Sequence, residues 1–409
     1  MIFSVVRDPL RTASELNQDL ETINNWAYQW KLAFNPDISK QAVEVLFSQK
    51  NNQPFHPPLF FNGAEVLKVN DHKHLGLLLD SKLLFSRHVN EKIKIARKSI
   101  GVLKYLSSYL PLKTLDTIYK LFTRSQFDYC DVIYHIPVSN NVYNLPTPLH
   151  TLMESIERIQ YQAALAITGA WQGSSRNKIY EELGWESLSD RRWFRRLFQF
   201  YKIHNNMTPQ YLKDNLPPIR RALYGNNNNR DIYHNIFCRT TRYMNSFYPD
   251  SVKSWNDIGK EFNLCNSIVK FKTDIINLIR PIPKSIFKLH DPKGLKYLFQ
   301  LRLGLSPLRS HKKNHNFADT PVDWCECNCA PEDTPHFLLH CKFHEVPRIN
   351  LFNSINQILL NYPQLNIVHD SDLFLYGHTA LNLRDNKGIL LSTIQFIKAT
   401  GKFKDKITI

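Results

Sequence analysis

The sequence predicts an α+β fold: a small α/β segment leads into a mostly helical body. Three observations predict it. Short strand-like apolar runs surround one helical stripe in the first 85 or so residues, whereas from His88 onward apolar residues recur every three or four positions. Four of the seven cysteines crowd into the 17 residues from Cys325 to Cys341, which marks a small module of its own.

Each element has a local reason. Residues 2–6, IFSVV, read as a short buried strand, and Ser14 can cap a helix whose positions Leu16, Leu20, Ile23, Trp26 and Trp30 share one face. Asn35-Pro36 ends that helix. AVEVLFS (42–48), LFFNG (59–63), EVLKV (65–69) and HLGLLLD (74–80) read as strands, with Asn62-Gly63 as a hairpin turn. Val89, Ile93, Ala96, Ile100, Leu103 and Leu106 then form the apolar stripe of a helix whose other faces carry Lys92, Lys94, Arg97, Lys98 and Lys104. More helices are expected over 112–129, 151–168, 175–184 and 189–205, Pro111 suiting a first turn. The stretch 206–250, broken by Pro and by the run Asn226 to Asn229, reads as a linker with one or two short strands; a helical pattern returns over 251–279. The expected regions are therefore 1–87 (α/β), 88–205 (helical), 206–250 (linker), 251–313 (basic and helical), 314–345 (cysteine module) and 346–409 (C-terminal tail).

Charge narrows the function. The 409 residues hold 52 Lys+Arg against 36 Asp+Glu, a net +16, so the expected partner is a polyanion, either nucleic acid or an acidic membrane surface. Apolar residues at 43% and aromatics at 12% exclude general disorder. The N-terminus lacks a signal-peptide core, and the uncharged windows 132–153 and 349–369 are interrupted by Pro and polar residues. No membrane span is expected, and an intracellular location, nuclear or cytoplasmic, fits the odd cysteine count. Residues 280–313 carry nine Lys/Arg and one acid, half of the net charge. Three basic groups are candidates for phosphate contact: Lys92, Lys94, Arg97, Lys98 and Lys104; Arg191, Arg192, Arg195 and Arg196; and Arg302, Arg309, Lys312 and Lys313, near Tyr297 and Phe299.

The sharpest chemical signal lies in WCECNCAPEDTPHFLLHC. Cys325 and Cys327, one residue apart on a turn, and His336 and Cys341, five apart on a helical segment, can close a tetrahedron around a zinc ion. Cys329, His340 and His344 are alternates, and Glu332 and Asp333 between the ligands are expected to stay solvated. Among carboxylates, Asp128 and Asp131 in QFDYCDVIYH are the best-spaced pair and read as a helix-terminal polar pair, so no catalytic residue is assigned. No G-x-S-x-G, H-E-x-x-H, phosphate-cradling or dinucleotide-binding motif occurs.

Taken in order, INNWAYQWKLAFNPDISKQAVEVLFS, HLGLLLDSKLLFSRHV, IKIARKSIGVLKYL, YKLFTRSQFDYCDVIYH, MESIERIQYQAALAITGA, LGWESLSDRRWFRRLFQFYKI, LRLGLSPLRSHKKNHNFADT and CECNCAPEDTPHFLLHC resemble the C-terminal part of LINE-type, jockey-like non-LTR retrotransposon reverse transcriptases. The resemblance implies that residues 1–87 are the end of the polymerase palm, that 88–205 form the thumb that tracks nucleic-acid backbones, and that 314–345 form a zinc knuckle. Where the family has glycine after the second cysteine, this chain has Asn328, and Cys329 is extra. Family members place a Phe/Tyr-Ala-Asp-Asp motif just before a strand that IFSVV resembles, and neither aspartate is in this sequence. The expectation is a truncated RNA-directed DNA polymerase that cannot hold magnesium, binds RNA and DNA with weak sequence preference through its thumb and structural zinc, and has no small-molecule substrate alone. Two alternatives stay open on the sequence: a host-adopted nucleic-acid-binding zinc protein, and a mis-started version of a full-length active enzyme.

Overall fold

In the computed structural model of the chain, the described residues are 2–6, 8–34, 42–50, 55–135, 147–220, 232–259, 262, 265–279, 289, 291–365 and 368–403. Two units emerge, Met1–Glu91 and Lys92–Ile409. The architecture is mixed α and β and mostly helical, with four two-stranded pairings among the described residues.

In the first unit, helix α1 runs Pro9–Gln29. Its cap is Asp8, whose carboxylate accepts from the amides of Leu10 and Arg11, and Pro9 fits the first turn because its missing N–H would be unpaired there anyway. Ser14 is therefore inside the helix and not its cap. Leu16 and Leu20 pack against the buried trio Ala13, Leu59 and Val66. Trp26 and Trp30 instead remain exposed, and the helix stops at Trp30, ahead of Asn35 and Pro36, which lie outside the described residues.

IFSVV forms no strand, and Phe3 and Val5 are exposed. An apolar run becomes a strand only when a neighbour accepts its hydrogen bonds, and no described strand pairs with it. The strands that do form are short: β1 (Val43–Glu44) lies parallel to β4 (Leu67–Lys68), and β2 (Phe60–Phe61) is antiparallel to β3 (Ala64–Glu65). Between β2 and β3, Asn62 and Gly63 both take positive φ, as the expected hairpin turn requires. Residues 74–80 are not one strand. They break at Leu75-Gly76 (φ 46° and 85°), so β5 (Asp71–His74) folds back on β6 (Leu77–Asp80), His74 facing Leu77. Asp80 then accepts from the amides of Leu84 (2.8 Å) and Phe85 (2.7 Å) and so launches α2, Ser86–Leu106.

The unit boundary falls within α2, and the rest of the chain builds the second unit. The expected helix over 112–129 is α3 (Leu112–Ile118), a wider π turn over Tyr119–Arg124, and α4 (Ser125–Asp128). Cys130 takes a left-handed conformation and turns the chain into α5, Asp131–Tyr134. α6 (Thr147–Thr168), α7 (Arg176–Leu183) and α8 (Leu188–His204) follow, with Gly184 in the left-handed region closing α7 and Ser187 capping α8 through the Asp190 amide.

One side of α8 is aromatic: Phe194, Leu197, Phe200 and Tyr201 join Val252, Trp255, Phe271 and Ile275 in a core shared by the helices Phe247–Asp257 and Ile268–Ile279. The tail read from sequence is three helices, Glu345–Leu359, Ser371–Tyr376 and Leu383–Thr400, and they bury Ile355, Phe374, Ile389 and Ile397. It belongs to the packed body, together with the helix Pro292–Arg302. None of the described helices is long and apolar enough to cross a membrane.

Candidate metal centre

Cys325, Cys327, His336 and Cys341 come together. One donor atom from each lies within 4.8 Å of the others, and the set could hold a metal ion. The Sγ atoms of Cys325 and Cys341 are 3.7 Å apart, and Cys327 Sγ is 3.2 Å from His336 Nε2. The alternates Cys329, His340 and His344 are not in the set.

Two local structures aim these donors. In the first, Trp324 and Pro331 pair as an antiparallel bridge, the Cys325 amide donates to the Ala330 carbonyl (2.9 Å), and the Asn328 amide donates to the Cys325 carbonyl (3.0 Å). The turn needs a left-handed residue at 328, φ 58°, and asparagine enters that region more readily than most side chains. Asn328 thus meets a backbone requirement that glycine would also meet. In the second, Asp333 accepts from the His336 amide (2.8 Å), and the chain from His336 to His340 winds as a π turn closed by the Cys341 amide on the His336 carbonyl (2.8 Å). Residues five apart on an α-helix point about 140° away from each other. The wider turn brings them toward one side.

Charge and burial set the thiols apart. Burial pushes the Cys325 thiol up to about 12 and raises Cys341 as well. Burial also works upward on Cys327, but the Cys329 amide and side-chain hydrogen bonds from Cys325, His336 and Cys329 outweigh it and bring this thiol to about 6. A cation at the centre would draw all three toward thiolate.

The surrounding residues were not visible as site residues in the sequence. Buried Arg348 donates to the carbonyls of Leu338 (3.0 Å) and Cys341 (2.5 Å), and so grips the π turn from behind. Glu332 is not solvated: its carboxylate accepts from the Arg309 amide (2.9 Å) and pairs with Lys402 (2.7 Å). Phe337 packs against Phe396 and Phe403, which ties the module to the C-terminal helix Leu383–Thr400.

The basic residues divide by surroundings. On α2, Lys94, Arg97, Lys98 and Lys104 are exposed, while Lys92 is half-buried, with its ammonium 3.5 Å from Gln126 and above the Tyr129 ring. The stripe on α8 is turned inward. Arg191 holds Asp128 with two bonds (2.8 and 2.7 Å) and Glu186 with a third; Arg195 holds Asp131 (2.7 Å). Arg196, fully buried, pairs with Asp250 (2.9 Å) and donates to the carbonyls of Val132, His135 and Asn245, and buried Arg192 lies against His135 and Met153. Arg302 is also buried, bonded to Glu182 (2.8 Å) and the Leu375 carbonyl beneath Tyr376. This corrects the expectation for Arg192, Arg196 and Arg302, because a guanidinium surrounded by protein cannot meet a phosphate in this fold. Arg309, Lys312 and Lys313 pair with Glu326, Asp319 and Asp323, acids in or beside the cysteine module.

Over 202 residues, 48% of its length, the chain is 25% identical to a probable RNA-directed DNA polymerase from transposon X-element of Drosophila melanogaster. Over 95 residues, 22% of its length, it is 30% identical to the RNA-directed DNA polymerase from mobile element jockey of the same species. The chain resembles LINE-type, jockey-like non-LTR reverse transcriptases. These matches span 20% and 10% of the two relatives, so the chain corresponds to a limited part of each. No family model and no solved structure matches the chain.

The two-metal catalysis of polymerases requires acids converging on shared ions. Asp128 and Asp131 are occupied by Arg191 and Arg195, and burial pushes the Asp131 carboxyl up against the pull of Arg195. They join α8 to the segment from Asp128 to His135. The sequence contains no two consecutive aspartates.

Proposed function

We propose that this chain is a nucleic-acid-binding portion of a jockey-like non-LTR reverse transcriptase, lacking the polymerase aspartates and built around one structural zinc ion. It binds RNA and DNA with little sequence preference and acts inside the cell, where its thiols stay reduced. The observation that carries the reading is the similarity to the X-element and jockey RNA-directed DNA polymerases. The net charge of +16 and the exposed cations of α2 support the partner.

The donor chemistry supports the ion. Two thiolates about 2.3 Å from a tetrahedral zinc stand about 3.8 Å apart. Cys325 and Cys341 are 3.7 Å apart without rearrangement. Three thiolates and an imidazole complete four-coordination, which leaves no open position for a reacting water and makes the ion a cross-link. Magnesium belongs to the longer polymerase, since this sequence lacks the paired aspartates that would hold it.

The test is binding of the purified chain to single-stranded RNA. Affinity should fall by roughly a factor of ten or more as salt rises from about 50 to about 200 mM, because counterions are released from each phosphate contacted. A complex indifferent to salt, or none at the lower concentration, contradicts the reading.

A further inference from the structure

Lys94, Arg97, Lys98 and Lys104 stand on the exposed side of α2, and none has a carboxylate partner among the described residues. Between Lys92 and Leu115 the sequence has no acid at all. The contrast with Arg191, Arg195, Arg309, Lys312 and Lys313 is sharp, since each of those is matched by an aspartate or glutamate. These four cations differ also from Arg87 in the first turn of α2, which pairs with Asp71 and Glu91.

Two further features share this face. Tyr105 and Tyr109 lie at its C-terminal end, 69% and 67% exposed, with ring centroids 5.5 Å apart and planes at 50°. Between the lysines and these rings lies Gly101, one helical turn from Lys98 and from Tyr105. Glycine weakens a helix interior relative to alanine. A Cβ at Gly101 would meet nothing within 4 Å, so no neighbour in the fold demands its small size. What glycine provides there is a bare strip of helix, open to close approach.

The geometry points to a platform for single-stranded nucleic acid on α2: phosphates at Lys94, Arg97, Lys98 and Lys104, bases stacked on Tyr105 and Tyr109, and the strand passing close over Gly101. The inference rests on the nucleic-acid-binding reading above and goes beyond it by naming single strand over duplex. Bases inside a duplex have both faces covered by their neighbours, whereas an unpaired base can lay one face on a tyrosine ring. Stacking is tolerant of sequence, so RNA and DNA strands both qualify.

The experiment uses the full chain as purified, with fluorescence anisotropy of a short labelled oligo(dT), an oligo(rU) of the same length, and a duplex of that length. Tyr105→Ala combined with Tyr109→Ala should lower affinity for both strands about tenfold or more and leave duplex affinity unchanged. The corresponding Tyr→Phe pair should restore strand binding, since the ring is what stacks. Lys94→Gln with Lys98→Gln should weaken strands and duplex alike. Gly101→Leu should weaken strand binding without lowering the melting temperature. The proposal is overturned if the alanine pair binds both strands as the parent does, if it loses strand and duplex equally, or if the phenylalanine pair fails to restore. A parent chain that binds none of the three probes at low salt overturns the broader reading instead.

Discussion

The Cys341 amide donates to the His336 carbonyl across five residues at 2.8 Å, and this single bond sets the approach of two of the four donors. Arg348 secures the same turn by bonding the carbonyls of Leu338 and Cys341, so the centre depends on a residue outside its own motif. Replacing Arg348→Ala should keep one metal site per chain while weakening metal affinity about tenfold to a hundredfold, the usual effect of losing a group that orients ligands. Competition with a chromogenic chelator measures it. Unchanged affinity would show that the π turn holds itself.

The arginines of α8 act within the fold. Arg196→Gln should destabilise the chain by about 3–5 kcal/mol, because it strands Asp250 and three carbonyls around a buried site. Lys98→Gln, on an exposed helix face, should change stability by less than about 0.5 kcal/mol. Denaturant midpoints decide between them, and equal effects would contradict the inward orientation of the α8 stripe.

Why the sequence misled at α8 but not at the cysteines is a matter of range. Thiols one residue apart, and a histidine five before a cysteine, are local facts, so Cys325, Cys327, His336 and Cys341 could be singled out without a fold. Arg192 and Arg196 repeat at a helical period like the lysines of α2, yet Arg196's partner Asp250 lies 54 residues away, beyond any local pattern. The same limit applies to IFSVV, whose apolar run says nothing of whether a strand stands beside it, and to the tail, where Leu351, Ile355 and Phe374 gain meaning only from the helices that cover them. The hairpin at Asn62-Gly63 and the stripe of α2 were legible because each is decided by its own residues.

Acid should loosen the cysteine module through His311, which bridges Ser306 (2.8 Å) and Thr334 (3.2 Å). Burial lowers its pKa to about 4 from an ordinary value of 6.5. The folded state therefore keeps this ring neutral while the unfolded chain takes up a proton, and the stability is present above pH 6.5 and lost as pH falls toward 4. Between about pH 7 and 5.5 the loss comes to about 1 kcal/mol. His311→Gln should flatten the pH dependence of the unfolding midpoint by that amount. A slope identical to the parent's would contradict it.

The chain should extend no primer on an RNA template with either magnesium or manganese, because its best-spaced acids, Asp128 and Asp131, are held by arginines and it has no consecutive aspartates. Incorporation of labelled nucleotide that depends on template, above a buffer control, would contradict this.

The most direct measurement is the zinc content of the purified chain by elemental analysis. The account predicts about one zinc per chain, lost on Cys325→Ser, Cys327→Ser, His336→Ala or Cys341→Ser and kept on Cys329→Ser, since Cys329 lies outside the four-donor set. Chelation should then disturb Phe337 and the C-terminal helix it packs against, visible as lost amide protection in both. A chain that folds without zinc in zinc-supplemented medium, or one that loses the ion with Cys329 and keeps it without Cys325, would contradict the account.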